Sequence, residues 1–304
     1  MNPLRSIRRL LGAWEEHRLE RSDYHRGPHT SDADGIFVMG CGRSGTTLLR
    51  GMLERHPRLW GGPESGIFNR RVDPKALADK FLWNPERAAR IAAETNSAVA
   101  FAERFFGEQT REAGKARWVE KTPKHVVCLG YLLGAFPNAR FIHVIRDGRD
   151  VACSLRNHPK AAFRNGKIVP LNTNNPIPKC IDRWVHDTSA GLAYRGHPRL
   201  LEVRYEALVA DPSATVRTVC DFLGEAFDPA CTSGDDAGKS TEQRMRTPNN
   251  MSSYGKVGDS SVGRWRRDLR PAELAACLRK GGPLLEALGY WDGISDVPAR
   301  PGSN

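Results

Sequence analysis

Ile36-Phe-Val-Met-Gly-Cys-Gly-Arg-Ser-Gly-Thr-Thr-Leu-Leu-Arg-Gly-Met-Leu-Glu-Arg-His-Pro57 is the stretch on which the fold turns. An apolar run, Ile36 to Met39, feeds a glycine-rich turn. A segment with helical spacing leaves it, with Leu48, Leu49, Met52 and Leu53 on one stripe. Strand, glycine loop and helix N-terminus in that order cradle an anion with backbone N–H groups. A nucleoside-triphosphate loop would carry Lys directly after its last glycine. Here Thr46 and Thr47 follow Gly45, and the cation sits inside the loop as Arg43. The loop is therefore expected to hold a nucleotide phosphate without the lysine that reaches β- and γ-phosphates.

Working outward, the spacing predicts a helix over 46–55, ended by His56-Pro57, and helical stretches within 74–113 that read as an inserted lobe. A short strand over 117–120 leads to Lys121-Thr122-Pro123 and a helix carrying Val126, Val127, Leu129, Leu132 and Leu133. A buried-type strand over 141–145 precedes Arg146-Asp147-Gly148-Arg149-Asp150 and a helix to about 156. Residues 157–178, with Gly166, Pro170, Pro176 and several Asn, are expected to form a flexible loop. A helix over 181–194, a strand over 200–203 and helices over 212–223 and 271–288 follow. Strands alternating with helices predict an α/β fold, a parallel sheet of phosphate-loop type wrapped by helices in one domain with a helical insertion. Ligands of such sheets sit beyond the carboxyl ends of the strands, so the Gly40, Lys121 and Arg146 loops should share one crevice.

The chain has 304 residues and a formal charge of +11, spread diffusely: 241–280 holds nine Lys and Arg against four Asp and Glu, and 1–30 six Arg against four acids. That balance is compatible with a polyanionic ligand. No interleaving of basic and aromatic residues points to a nucleic-acid partner. Seven scattered cysteines without close CxxC pairs argue against a disulfide framework or a zinc site, so no metal is expected and a reducing compartment is favoured. No apolar run approaches the ~20 residues needed to span a bilayer, and the N-terminus does not read as a signal peptide, so cytoplasmic localisation is expected. Leu4, Ile7, Leu10, Leu11 and Trp14 share a face in a segment carrying Arg5, Arg8 and Arg9. That basic amphipathic pattern is expected to dock on its own domain and would permit weak peripheral membrane contact. Residues 1–34 are expected to be a basic lead-in, 35–291 the domain and 292–304 a disordered tail.

The segment Phe141-Ile-His-Val-Ile-Arg-Asp-Gly-Arg-Asp-Val-Ala-Cys-Ser-Leu155 supplies a second anion site. Arg146 at a strand end and Ser154 on the following helix suit a phosphate monoester. Arg149, by contrast, reads as a surface ion pair with its acidic neighbours. Two sites at separate strand ends match a nucleotide phosphorylated at two positions.

On these residues the chain resembles the sulfotransferases that use 3′-phosphoadenylyl sulfate (PAPS), most of all the branch containing the protein-tyrosine sulfotransferases and bacterial relatives. The match runs through Gly42-Arg-Ser-Gly-Thr-Thr47, His56-Pro57, Glu64 in Gly-Pro-Glu-Ser, Lys121-Thr-Pro123, Phe136-Pro-Asn-Ala-Arg-Phe141, the Arg146 to Ser154 stretch and Tyr205-Glu206. Gly263-Arg-Trp265 and Leu288-Gly-Tyr290 complete it. The resemblance implies that Arg43, Ser44, Gly45, Thr46 and Thr47 hold the 5′-phosphosulfate and that Arg146 and Ser154 hold the 3′-phosphate. It implies Lys256 as a residue that closes over the nucleotide. It also implies Glu64 as general base, with Lys121 and Arg43 stabilising the leaving oxygen. His125, displaced by two from the position where small-molecule sulfotransferases keep a catalytic histidine, is the second choice of base. Gly66 stands where protein-directed members carry a second basic residue, which weakens a peptide acceptor against a glycan, lipid or small metabolite. A kinase-like phosphotransferase is the alternative activity, and a polyanion-binding module using 241–280 the non-enzymatic one.

Overall fold

The computed structural model describes residues 30–70, 72–156, 160–164, 167–171, 174–233 and 261–291. The N-terminal amphipathic segment, Lys256 and the tail lie outside them. Five parallel strands form one sheet in the order β2-β3-β1-β4-β7: β1 Ile36–Gly40, β2 Leu59–Gly61, β3 Arg117–Lys121, β4 Arg140–Ile145 and β7 Leu200–Arg204. Phe37 of β1 lies opposite Glu120 on one side and Phe141 on the other. The strand order runs one way from β1 to β2 and the other way to β7, so the crevice expected at such a reversal opens beyond Gly40, Lys121 and Ile145.

Both faces of the central strands are buried, as an all-parallel sheet requires. Phe37 and Met39 point to one side, where Phe37 stacks on Phe141 at 5.1 Å and meets Trp118 edge-on at 5.2 Å. The helical insertion closes that side through α2 Pro74–Lys80, α3 Pro85–Glu94 and α4 Ala98–Glu112. Asp73, Asn84 and Ser97 cap these helices, accepting from the amides of Lys75, Glu86 and Ala100. Each such cap is worth about 1 kcal/mol. Ile36 and Val38 face the opposite side, against α1 Thr46–Glu54 and later against α8 Tyr205–Ala210 and α9 Pro212–Leu223. A third cluster joins α6 Gly148–Arg156, α7 Ile177–Leu192 and α11 Pro271–Ala287 around Trp184. The predicted helix after Lys121 is a 3-10 turn, Pro123–Cys128, continued by α5 Leu129–Ala135, and α10 is the short Trp265–Asp268.

Three expectations are corrected. Residues 160–164 and 167–171 pair as an antiparallel hairpin, β5 and β6, and α7 starts at Ile177, so the span 157–178 is not a plain loop. The Asn-Gly dipeptide at 165–166 is a hairpin signal that outweighs the nearby prolines. Order begins before residue 35: Ser31 is buried and its amide donates to the Ala135 carbonyl at 2.8 Å. Arg149 is no surface residue. It is buried, paired with Asp147 at 2.9 Å and laid over Trp265 at 3.8 Å, because α11 and its C-terminal turn cover it.

His143 on β4 makes the sheet acid-sensitive. It is fully buried, and neither ring nitrogen finds a partner among the described residues. Burial, partly opposed by Glu202, pushes it down from 6.5 to about 4. Below pH 6.5 the unfolded chain takes up a proton that the folded one refuses, so stability falls between pH 6.5 and 4, by about 3 kcal/mol in all. His143→Leu should lose less melting temperature than wild type between pH 7.5 and 5. Equal losses in a thermal-denaturation series would refute this.

Candidate functional site

The phosphate loop spans the end of β1 and the start of α1. Its last residue, Gly45, has φ 98°, and a Cβ there would stand 2.3 Å from the Tyr205 ring, so only glycine lets the loop close on that ring. Arg43 also has positive φ, 74°, a strained setting for a side chain that large. Helix α1 begins without a side-chain cap and without an acidic residue in its first turn, leaving its N-terminus open to an anion. The Ser44 hydroxyl, buried in the loop, has no partner among the described residues. An orphaned donor beside an uncapped helix fits a phosphate oxygen.

Arg146 leaves the end of β4 and is locked from several sides. Its carbonyl accepts from Trp184 Nε1 at 3.0 Å, its Nη1 donates to the Arg43 carbonyl at 3.2 Å, and its guanidinium lies 4.2 Å over the Tyr205 ring. The Arg146 Nε is buried with no partner among the described residues. Arg43 reaches Ser154 on α6, Nε to Oγ 3.0 Å. The two anion sites read from separate strand ends thus merge into one basin, lined by both guanidiniums. Burial, and next the charge of Arg146, pull the Arg43 guanidinium down from its ordinary range. A bound polyanion would relieve that repulsion. The Tyr205 ring lies beneath this pair, and its hydroxyl meets Ser261 Oγ at 2.6 Å.

Across the crevice, Lys121 at the end of β3 holds Glu64, Nζ to Oε1 2.6 Å. The Lys121 side chain is 2% exposed and that of Glu64 40%, so the carboxylate faces the opening while the ammonium is walled in. Burial raises the Glu64 carboxyl, but the Lys121 charge and hydrogen bond, helped by Lys80, more than offset this and leave it below the usual carboxylate range. Glu64 also lies within electrostatic reach of Arg43, which joins the two sides.

Sequence reasoning missed Lys80. It comes from the end of α2, and its ammonium donates to the Glu64 carbonyl oxygen. No spacing rule connects residues so far apart on an insertion. The structure also demotes His125. Its ring is fully buried, with Nδ1 donating to Glu120 at 2.9 Å and Nε2 accepting from the Phe68 amide at 3.3 Å. Ser65 and Thr122 hydroxyls complete the Glu120 network at 2.7 and 2.6 Å. Both ring nitrogens are spent, so His125 braces the Glu64 loop and is corrected as a candidate base. The Arg70 Nε lies 2.6 Å from where a Gly66 Cβ would stand, so a guanidinium packs directly beside Gly66. Among the described residues no three His, Cys, Asp or Glu side chains converge as a metal site.

The family model described as the sulfotransferase family matches residues 35–229, which include Arg43, Glu64, Lys80, Lys121, Arg146, Ser154 and Tyr205. The chain belongs to the sulfotransferase family. It is 30% identical over 283 residues to nodulation protein NoeE of Sinorhizobium fredii, covering 84% of this chain and 65% of that protein. It is 27% identical over 271 residues to protein-tyrosine sulfotransferase A of Caenorhabditis elegans, covering 84% and 67%. The chain thus spans about two thirds of the length of these two relatives. Among solved structures, the sulfotransferase domain of the Synechococcus PCC 7002 olefin synthase superposes with a TM-score of 0.66 at 22% identity, over 89% of this chain and 99% of that one. Mouse sulfotransferase SULT7A1, solved in complex with PAP, gives 0.51 at 13% identity over 86% and 90%. These likenesses make the sheet and its flanking helices a sulfotransferase fold. No described helix of this sulfotransferase chain is long and apolar enough to cross a membrane.

Proposed function

We propose that the protein transfers the sulfuryl group of PAPS to a hydroxyl or amine of an acceptor. The observation that carries this reading is the Glu64–Lys121 pair, 2.6 Å long, facing a basin lined by Arg43 and Arg146. The donor supplies the sulfuryl group and departs as adenosine 3′,5′-bisphosphate. Arg43, Ser44, Gly45 and the amides at Thr46 and Thr47 would hold the 5′ end, and Arg146 with Ser154 the 3′-phosphate, with Lys256 assigned to the nucleotide from its place in the sequence. Glu64 accepts the proton of the attacking acceptor group. Lys121, turning its ammonium from Glu64, would meet negative charge on the leaving oxygen, supported by Arg43. In moving toward that oxygen it would release Glu64, whose basicity then rises because the largest charge opposing burial is withdrawn.

A kinase-like reaction is not favoured, since Thr46 and Thr47 stand where its loop lysine belongs. The reading includes a cytoplasmic setting, supported by seven cysteines of which none is in a disulfide. Calorimetry should detect binding of adenosine 3′,5′-bisphosphate without magnesium. Mass spectrometry of acceptor extracts incubated with PAPS should find an added sulfuryl group. Absence of affinity for the bisphosphate, or magnesium-dependent ATP turnover instead, would overturn the reading.

A further inference from the structure

Beneath the phosphate loop lies a charged cluster that the motifs above do not touch. Asp187 on α7 has its side chain wholly out of solvent, and a carboxylate so placed must be matched by donors and cations. It receives three partners: Lys124 Nζ at 3.2 Å, Arg183 Nε at 3.4 Å and His186 Nδ1 at 2.9 Å. One cation would neutralise it. Lys124 and Arg183 both contribute, and each keeps nearly half of its side-chain surface in solvent, 45% and 46%.

Their placement is what gives the cluster a function. Arg183 Nη2 lies 3.0 Å from where a Gly42 Cβ would stand, so the guanidinium rests on the phosphate loop itself. Lys124 follows Lys121 by three residues on the adjoining 3-10 turn. The Cys41 thiol, pushed up by burial first and by Asp187 next, with Arg183 and Lys124 opposing, puts the same cluster directly under the end of β1. Long basic side chains on a surface lose rotamer freedom when a ligand fixes them. Anchored to a buried carboxylate, these two have already lost much of it.

We propose that Arg183 and Lys124, braced by Asp187, form an oxyanion-binding arm on the Gly42 side of the phosphate loop. This rests on the sulfotransferase reading above. The oxyanion is either the transferable sulfonate of the donor or an acidic group on the acceptor, since both approach the loop on the side of Lys121. A planar guanidinium beside an ammonium suits either.

The test is the Lys124→Gln/Arg183→Gln double variant, titrated calorimetrically with adenosine 3′,5′-bisphosphate, with PAPS, and, with the bisphosphate bound, with 4-hydroxybenzoate and 4-hydroxybenzamide. Bisphosphate affinity of the folded protein should be unchanged, while the melting temperature falls because Asp187 loses both of its cations. A drop of about tenfold or more in affinity for PAPS alone would identify the donor sulfonate as the ligand. The same drop for hydroxybenzoate but not for the amide would identify an acidic acceptor group. If the double variant melts too early to titrate, the single Lys124→Gln on its exposed turn carries the same comparison. The proposal is wrong if wild type and variant bind all four compounds alike. Failure of wild type to bind the bisphosphate would instead remove the sulfotransferase reading.

Discussion

Turnover by a Glu64→Gln variant is expected to fall about 10²–10⁴-fold, with binding of adenosine 3′,5′-bisphosphate retained. Glutamine keeps the shape of the side chain and an oxygen for Lys121, but it cannot take the acceptor's proton. The readout need not await the acceptor, because release of the bisphosphate from PAPS to water passes through the same proton transfer. His125→Gln is the contrast. It breaks a fully buried network of Glu120, Ser65, Thr122 and the Phe68 amide, so it should lower stability by about 2–4 kcal/mol. Turnover per nucleotide-binding site should stay close to wild type. A folded, active Glu64→Gln protein beside a folded, inactive His125→Gln protein would reverse the assignment of the base.

Lys121→Met is expected to lower kcat about 10²–10³-fold, the scale of removing one donor from a developing oxyanion. Methionine fills the walled-in channel that the 2% exposed lysine side chain occupies, so the fold should persist. A second signature separates this variant from a merely structural one. Glu64 is raised by burial and held down chiefly by Lys121, with Lys80 assisting. Removing Lys121 lets burial prevail, and the carboxyl moves up. The base must be ionised to work, so the acidic limb of kcat/KM against pH shifts to higher pH in Lys121→Met. An unshifted limb would mean that Lys121 does not set the ionisation of Glu64.

The same pair shows how far the sequence carried the site. Gly45, Arg43, Arg146 and Ser154 were legible because each belongs to a strand-loop-helix unit whose geometry is local: a glycine at positive φ, an uncapped helix start, a cation at a strand end. Lys121 was placed at the crevice by its strand end, but Glu64 was legible only through family resemblance, since a carboxylate on one loop and a lysine 57 positions later have no spacing that predicts contact. Lys80, Arg70 and the Asp187 cluster were not legible at all. They come from the insertion, from the turn after Gly66 and from α7, and only the packing of those elements on the sheet sets their distances. The 160–171 hairpin was misread for a related reason: composition favoured a loop, and pairing between two short strands overrode it.

By itself the chain determined a parallel sheet with helices on both faces and a phosphate loop without its lysine, because apolar periodicity, glycine placement and helix caps act over a few residues. Tertiary structure alone decided that Arg146 donates to the Arg43 carbonyl and Arg43 to Ser154, that Lys121 holds the Glu64 carboxyl below its usual range, and that both ring nitrogens of His125 are spent in a buried network. Electrostatic coupling and burial depend on separation in space, and that separation exists only once distant loops have been brought to the same end of the sheet.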